Sequence, residues 1–172
     1  MRILILAVAL LLVGSIMSPS TAQTNGLEKG NKSPEIRLPS VKGDTVTLSS
    51  LKGKLVLIDF WGTWCAPCVE EQSELAKLYH TYQHAHFTIG KGFEIYGVSL
   101  DSKKITWENF LVKHKINWVQ VSDLKFWRSP VARTYNIQGL PFNVLVDDKG
   151  VILAKNLHGK DLEKEINKYL NK

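Results

Sequence analysis

The chain has 172 residues, with 22 lysines and arginines against 16 aspartates and glutamates, for a formal net charge of +6. The basic residues are spread along the sequence, which is typical of a solvated surface and argues against nucleic acid as a partner. The two cysteines, Cys65 and Cys68, form a single C-x-x-C. No second C-x-x-C or C-x-x-H accompanies them, so a zinc site with its usual set of about four ligands is not expected.

The first 22 residues have the pattern of a signal peptide. Arg2 precedes an apolar stretch over 3–17, and small residues follow over 18–22. This order predicts cleavage after Ala22 and export, with the bacterial periplasm as the expected compartment. An uncleaved membrane anchor is the less favoured alternative, because the apolar stretch is shorter than the roughly 20 residues that span a bilayer.

Removal of the leader leaves about 150 residues, enough for one domain with its own core. Residues 23–32 are predicted to be a polar linker, and residues 33–172 the domain. The segments 34–39 and 45–48 alternate between apolar and polar residues and are separated by a turn that contains glycine. They predict a short β-hairpin at the start of the domain.

The rest of the domain alternates between predicted strands and helices. A continuous apolar run over 55–60 predicts a central strand covered on both faces, and a helix is predicted to begin at the cysteines. Further strands are predicted over 93–100, 118–121, 143–146 and 151–157, with helices over 105–114, over 129–135 and at the C-terminus, and a solvated loop over 83–92. The last two strands flank a hairpin turn and should be antiparallel. The order predicts an α/β fold with a mixed sheet and helices on both faces.

The two cysteines lie where the central strand is predicted to give way to a helix. Cysteines three residues apart sit one turn apart on one helix face, so they can form and break a disulfide without unfolding the domain. The helix N-terminus favours an anion, which lowers the pKa of the Cys65 thiol and makes Cys65 the attacking sulfur. Pro67 fits the first turn and helps to place Cys68 inside as the resolving sulfur. A purely structural disulfide is the alternative, but so short a loop constrains the unfolded chain very little.

Several separated motifs resemble a known family: Gly30 to Pro34, Leu51 to Lys54, Phe60 to Cys65, and Gly139 to Pro141. The chain resembles the thioredoxin superfamily, and within it the TlpA/ResA-like exported thiol–disulfide oxidoreductases. The resemblance implies a thioredoxin-like mixed β-sheet flanked by helices, with an N-terminal β-hairpin extension. It also implies a reaction that needs neither a metal nor a small-molecule cofactor.

The resemblance implies a substrate-binding surface around the cysteines. The Leu140-Pro141 bond should be cis, and its loop should lie beside the disulfide and offer backbone hydrogen bonds to an extended substrate segment. Phe142 follows the proline, where thioredoxins usually have threonine, and this departure concerns the shape of the substrate groove. Trp64 adjoins the attacking sulfur and should belong to the docking surface.

Two acids near the cysteines are candidate catalytic residues. Asp59 interrupts the apolar central strand, and burial of a carboxyl there should raise its pKa. The resemblance implies that Asp59 assists Cys68 as a general base; the alternative is an acid that points to a sheet edge. Glu71 resembles an active-site acid of the family, but Glu70 and Glu71 could also be first-turn acids that complement the helix dipole.

Other aromatic and histidine side chains have more than one interpretation. Trp61, Phe126 and Trp127 could each pack in the core or contribute to the surface around the cysteines. His80 and His84 are four residues apart and could share a metal with His86, but a solvated loop is the favoured interpretation.

The dithiol predicts an oxidoreductase in which Cys65 attacks a partner disulfide and Cys68 resolves the mixed disulfide, so that the partner is reduced. The family implies disulfide-containing exported proteins as partners, with apocytochrome c as one candidate, and a membrane electron donor that recharges the dithiol. Two alternatives remain. A metal or thiol carrier would use both cysteines as soft ligands. A peroxidase would use a peroxide-reactive cysteine, although Gly62 stands where peroxiredoxins have threonine.

Overall fold

The computed structural model describes residues 26–171. The predicted signal peptide, residues 1–22, and the start of the predicted linker lie outside the described residues. Within 26–171 the helices are too short or too polar to cross a bilayer. The described end of the linker is attached to the domain: Gly30 donates its backbone N–H to the Ile152 carbonyl at 2.9 Å, and Lys32 forms a β-bridge with Val151.

The described residues alternate between strands and helices, as the sequence predicts. In chain order they form β1 (Arg37–Pro39), β2 (Thr45–Thr47), β3 (Leu55–Trp61), α1 (Ala66–Tyr82), β4 (His86–Phe87), β5 (Gly90–Lys91), β6 (Phe93–Ser99), α2 (Lys104–Lys113), β7 (Val119–Val121), α3 (Pro130–Thr134), β8 (Phe142–Val146), β9 (Ile152–Lys155) and α4 (Gly159–Asn167). The main sheet has the order β7-β6-β3-β8-β9, in which β6 and β7 run parallel to β3 while β8 runs antiparallel to both of its neighbours. The predicted α/β fold with a mixed sheet is confirmed.

Strand β3 lies at the centre of the sheet, and all seven of its residues are buried. Successive side chains on a strand point to opposite faces. Val56, Ile58 and Phe60 therefore enter the core on one face, while Leu55 and Leu57 enter the core on the other. This burial on both faces explains why the strand is continuously apolar apart from one acid.

Different elements cover the two faces of the sheet. Helices α1 and α4 pack on one face, next to Leu55 and Leu57. The predicted N-terminal hairpin, β1 paired antiparallel with β2, is confirmed and packs with α3 on the other face. Two tyrosine hydroxyls fasten this extension, because Tyr96 donates to the Val46 carbonyl at 2.8 Å and Tyr135 donates to the Pro34 carbonyl at 2.5 Å.

Three details differ from the sequence predictions. Segment 83–92 is not simply a solvated loop, because β4 and β5 pair within it and Phe87 enters the core. The strand predicted over 151–157 ends at Lys155, because Asn156 has a φ of 52°, which an extended strand cannot continue. Helix α1 begins at Ala66, so its first turn contains no acid. The interpretation of Glu70 and Glu71 as first-turn acids is therefore wrong.

Candidate active site

The C-x-x-C loop joins the end of β3 to the start of α1. Cys65 is the N-cap of α1, with extended backbone angles, and its carbonyl accepts from the Val69 N–H at 3.0 Å. Its Sγ also accepts from the Cys68 backbone N–H at 3.3 Å. The sulfur therefore occupies the place where a helix N-terminus stabilises negative charge. Proline follows in the first turn, where the helix does not need its missing N–H.

The two sulfurs form a disulfide and differ in exposure. The Cα atoms of Cys65 and Cys68 are 5.2 Å apart. Cys65 is 6% exposed, whereas Cys68 is fully buried. Trp61 and Trp107 pack around the pair in one buried cluster. Only Cys65 is in reach of a partner protein from outside.

A buried acid at the end of β6 holds the loop before Cys65. Asp101 accepts three hydrogen bonds: from the Thr63 backbone N–H at 3.1 Å, from the Thr63 hydroxyl at 2.6 Å and from the Ser99 hydroxyl at 2.7 Å. A carboxylate with three donors is well satisfied in a buried position. Asp101 thereby ties the loop to the neighbouring strand.

Asp59 lies on the face of β3 that α1 covers, between Leu57 and Trp61. Within α1, Cys68 and Gln72 are both buried and are one turn apart, so Asp59 lies below the helix one turn beyond Cys68. Gln72 donates from Nε2 to Asp59 Oδ2 at 3.5 Å, a long hydrogen bond. The alternative that Asp59 points to a sheet edge is wrong, because β3 is central.

The surroundings of Asp59 favour its protonated form. The pKa of its carboxyl is raised to about 7, mainly by burial and also by the negative charge of Glu71, while the hydrogen bond from Gln72 opposes both effects. A carboxyl with a pKa near neutrality can both take up and release a proton under physiological conditions. The sequence prediction of a raised pKa is confirmed.

Glu71 lies three residues after Cys68 on α1, and its partner comes from the far end of the chain. Its Oε1 is 2.7 Å from Nδ1 of His158, the residue just before α4. The Glu71 side chain is largely buried, while that of His158 is about one-third exposed. The two side chains form a hydrogen-bonded pair at the surface end of the site.

The proline loop and the acidic pair border one groove. The Leu140-Pro141 peptide bond is cis. Leu140 packs against the cluster that contains both cysteines. The groove beside it is lined by Pro67, Glu70, Glu71, Glu74, Pro141, His158 and Gly159. It runs from the turn between the two cysteines to the start of α4.

An exposed aromatic surface lies on the other side of the site and consists of Trp64, Phe126 and Trp127. Trp64 is 45% exposed, and its indole N–H donates to the Leu100 carbonyl at 3.1 Å. Its ring lies 4.9 Å from that of Phe126 and 6.0 Å from that of Trp127, between centroids. Gly62 leaves room for the indole, because a Cβ there would lie 2.7 Å from the Trp64 nitrogen. Trp61, by contrast, is fully buried.

The structure brings together the predicted site residues Cys65, Cys68, Asp59, Glu71, Trp64, Leu140 and Pro141 around the end of β3. Sequence reasoning missed three that complete the site: Gln72, Asp101 and His158. Two of them could have been found from the sequence, because Gln72 follows Cys68 by one helical turn and Asp101 directly follows a predicted strand. No sequence pattern indicated His158, since its contact with Glu71 joins residues that are 87 positions apart. Among residues 26–171, His, Cys, Asp and Glu form no group of three that could hold a metal.

The family of the chain follows from comparison with known proteins. The model of the AhpC/TSA family matches residues 29–155. The thiol-disulfide oxidoreductase ResA of Bacillus subtilis is 32% identical over 150 residues, which cover 87% of this chain and 78% of that protein. The chain belongs to the AhpC/TSA family and is a ResA-like thiol–disulfide oxidoreductase. The protein of Geobacillus kaustophilus with the same name is 29% identical over 170 residues and covers 96% of this chain and 92% of that one.

Solved structures of other thiol–disulfide oxidoreductases share the fold. The thioredoxin domain of a thiol-disulfide oxidoreductase from Bacteroides vulgatus has a TM-score of 0.76 and 37% identity. The match covers 85% of this chain and 100% of that domain. A thiol:disulfide interchange protein from a Bacteroides species has a TM-score of 0.74 and 37% identity, with 85% and 92% of the two chains covered. The Cys65–Cys68 disulfide therefore lies in a thioredoxin-like domain that works in thiol–disulfide exchange.

Proposed function

We propose that the oxidoreductase reduces disulfides of exported proteins in two steps. The Cys65 thiolate attacks one sulfur of the partner disulfide, forms a mixed disulfide and expels the other partner sulfur as a thiolate. Cys68 then attacks the Cys65 sulfur, which releases the second partner sulfur and closes the Cys65–Cys68 disulfide. The partner gains two electrons and this protein loses two. The observation that carries the proposal is the difference in exposure between a helix-capping Cys65 and a fully buried Cys68.

Asp59 is proposed to accept the proton of the Cys68 thiol in the second step. A buried thiol is a poor nucleophile until it is deprotonated, and its proton needs an acceptor within the protein. Asp59 accepts a hydrogen bond from Gln72, which lies one helical turn after Cys68 on the buried face of α1, and its pKa of about 7 suits proton uptake at neutral pH. Gln72 supports this role, since a primary amide can donate to the carboxylate or, turned over, accept from the protonated acid.

The partner is proposed to bind as an extended segment across the loop of Leu140 and Pro141. Support comes from the adjoining groove on one side of the disulfide and the aromatic surface of Trp64, Phe126 and Trp127 on the other. Exposed tryptophan and phenylalanine side chains supply contact area at little cost in side-chain entropy.

Export and the physiological partners are also proposals. The predicted signal peptide over 1–22 supports export, with the periplasm as the compartment and residues 33–172 as the mature thioredoxin-like domain. A reductant must be recharged, so we propose a membrane electron donor. Apocytochrome c is the proposed representative of the exported disulfide-containing partners.

Covalent trapping tests the proposal. Cys68→Ser should accumulate mixed disulfides with exported proteins through Cys65, because the resolving thiol is missing. Cys65→Ser, the matched control, should accumulate almost none. The measurement is mass spectrometry of thiol-sensitive adducts from the exported fraction.

Each alternative function predicts a different result from the same pair of variants. A metal carrier would form no adducts with either variant and would bind Cu(I) only with both cysteines present. A peroxidase would accumulate sulfenic acid on the remaining cysteine instead of protein adducts. Either result, or equal trapping by both variants, would contradict the proposed roles of Cys65 and Cys68.

A further inference from the structure

His158 is built into the site and is not a freely rotating surface residue. The buried Asn143 on β8 holds the backbone before it: its Nδ2 donates to the Leu157 carbonyl at 2.6 Å, and its Oδ1 accepts from the Leu157 N–H at 3.1 Å. His158 is also the N-cap residue of α4, and its own carbonyl accepts from the Asp161 N–H at 3.1 Å. The imidazole is therefore presented to α1 from a fixed loop.

Both ring nitrogens of His158 face oxygen atoms. Nδ1 is 2.7 Å from the Glu71 carboxylate, and Nε2 is 3.1 Å from Oδ1 of Asn156. A neutral imidazole has one N–H and can donate to only one of these oxygens, whereas the imidazolium donates to both. Nδ1–H can donate to the Glu71 carboxylate in either protonation state, and the charged ring in addition places a positive charge beside that carboxylate.

The charge of Glu71 matters because it lies next to groups that react as anions or proton acceptors. Its negative charge raises the pKa of Asp59. It would disfavour a thiolate at the cysteines in the same way, since a like charge destabilises the ionised form. Other charged groups border the groove or the adjoining pocket between the two helices: Glu70, Glu74 and Lys77 on α1, and Lys160 and Glu163 on α4. Three of these five are acids, so a positive charge on His158 would offset part of a locally negative surface.

We propose that His158 is a positioning residue of the redox site: it fixes Glu71 and neutralises its charge, so that the thiolates and the ionised form of Asp59 become accessible at lower pH. The inference rests on the proposed roles of Cys65 and Asp59 and adds a residue from the C-terminal third of the chain to their control. His158 itself does not contact the reacting sulfurs.

A double-mutant cycle between His158 and Glu71 tests the inference. The measurement is the rate of alkylation of Cys65 in the reduced protein as a function of pH. His158→Gln keeps a hydrogen-bonding side chain but removes the charge, and should move the midpoint of the profile to higher pH by about 0.5 to 1 unit. In the Glu71→Gln background the same substitution should cause little further shift, because there is no carboxylate left to neutralise. His158→Lys should restore the wild-type midpoint at least in part.

His84→Gln is the matched control, because His84 is exposed on the segment between α1 and β4, far from the groove. It should leave the profile unchanged. An equal shift of His158→Gln in both backgrounds, or no shift in the wild-type background, would overturn the inference. Alkylation needs no partner protein, so a failure of Cys68→Ser to trap partners would contradict the proposed function without deciding the role of His158.

Discussion

Asp59 and Asp101 are both buried acids near the C-x-x-C loop, and their surroundings are opposite. Asp59 is 1% exposed and receives one long hydrogen bond, from Gln72. Asp101 is 3% exposed and receives three, from Thr63 and Ser99. Burial penalises the charge of both carboxyls, but only Asp101 has enough donors to offset that penalty.

The comparison shows that burial alone does not make an acid reactive. A fully satisfied carboxylate is a structural anchor, and its charge is needed to hold its donors. A poorly satisfied carboxyl has a raised pKa and can exchange a proton near neutral pH. The same substitution, Asp to Asn, should therefore have opposite effects on stability at the two positions.

The largest expected effect is a gain in stability at alkaline pH for Asp59→Asn. The pKa of Asp59 is about 7 in the folded protein, against an ordinary value of 3.8 for an exposed aspartate. Between these values the folded state binds more protons than the unfolded state, so the free energy of unfolding of the wild type falls as pH rises, and it levels off above pH 7. At pH 8, Asp59→Asn should be more stable than the wild type by up to about 4 kcal/mol, and near pH 4 the two should be similar.

Urea unfolding of the oxidised proteins at several pH values measures this difference. A wild type whose stability does not fall between pH 4 and 7 relative to Asp59→Asn would show that Asp59 is ionised throughout, and the contrast with Asp101 would disappear.

The second-largest expected effect is on the rate of thiol–disulfide exchange. Asp59→Asn should keep the fold but slow release of the mixed disulfide by roughly 100-fold at neutral pH, the range typical of a lost general base. Stopped-flow measurement of the resolving step checks it. Glu94→Gln is the matched control, because Glu94 is another buried acid but forms an ion pair with Lys54. Glu94 lies opposite Val56 near the start of β6, away from the end of the sheet that carries the cysteines. Unchanged release in Asp59→Asn would leave Asp59 without a role in catalysis.

The third effect has the opposite sign. Asp101→Asn should lower the free energy of unfolding by about 2 kcal/mol at pH 8, because one of the acceptor oxygens that serve Thr63 and Ser99 is replaced by a donor. Urea unfolding under the conditions used for Asp59→Asn allows direct comparison. If both variants gain stability, hydrogen-bond satisfaction is not what separates the two acids.

The smallest expected effect lies outside both acids. Trp127→Ala should raise the KM for a peptide disulfide with flanking apolar residues by about 5-fold, which corresponds to about 1 kcal/mol of lost aromatic contact, with kcat nearly unchanged. Val112→Ala removes an even more exposed apolar side chain from α2 and serves as the control. A loss of kcat in Trp127→Ala would mean that this surface affects the resolving step and not only binding.

The sequence was sufficient for most of the fold because the deciding signals are local. The apolar run before the cysteines predicted the central strand, and helical spacing predicted the helices that cover it. For the site, Asp59 was found because a carboxyl in an apolar strand is exceptional. The contacts that separate Asp59 from Asp101 could not be predicted, since they depend on which donors of distant segments meet each carboxyl. His158 was missed for the same reason: nothing near it in sequence indicates Glu71 as its partner.

The pairing of β3 with β8 has a consequence for biosynthesis. A chain that is synthesised from its N-terminus presents Cys65 and Cys68 long before Asn143 and His158 emerge. Until β8 pairs with β3, Asp59 lacks its neighbour Asn143 in the sheet. Asn143 is then also not in place to hold the loop that carries the His158 imidazole. We therefore expect the newly synthesised cysteines to behave first as ordinary thiols, and to acquire the redox chemistry of the folded site only when the last third of the chain has folded.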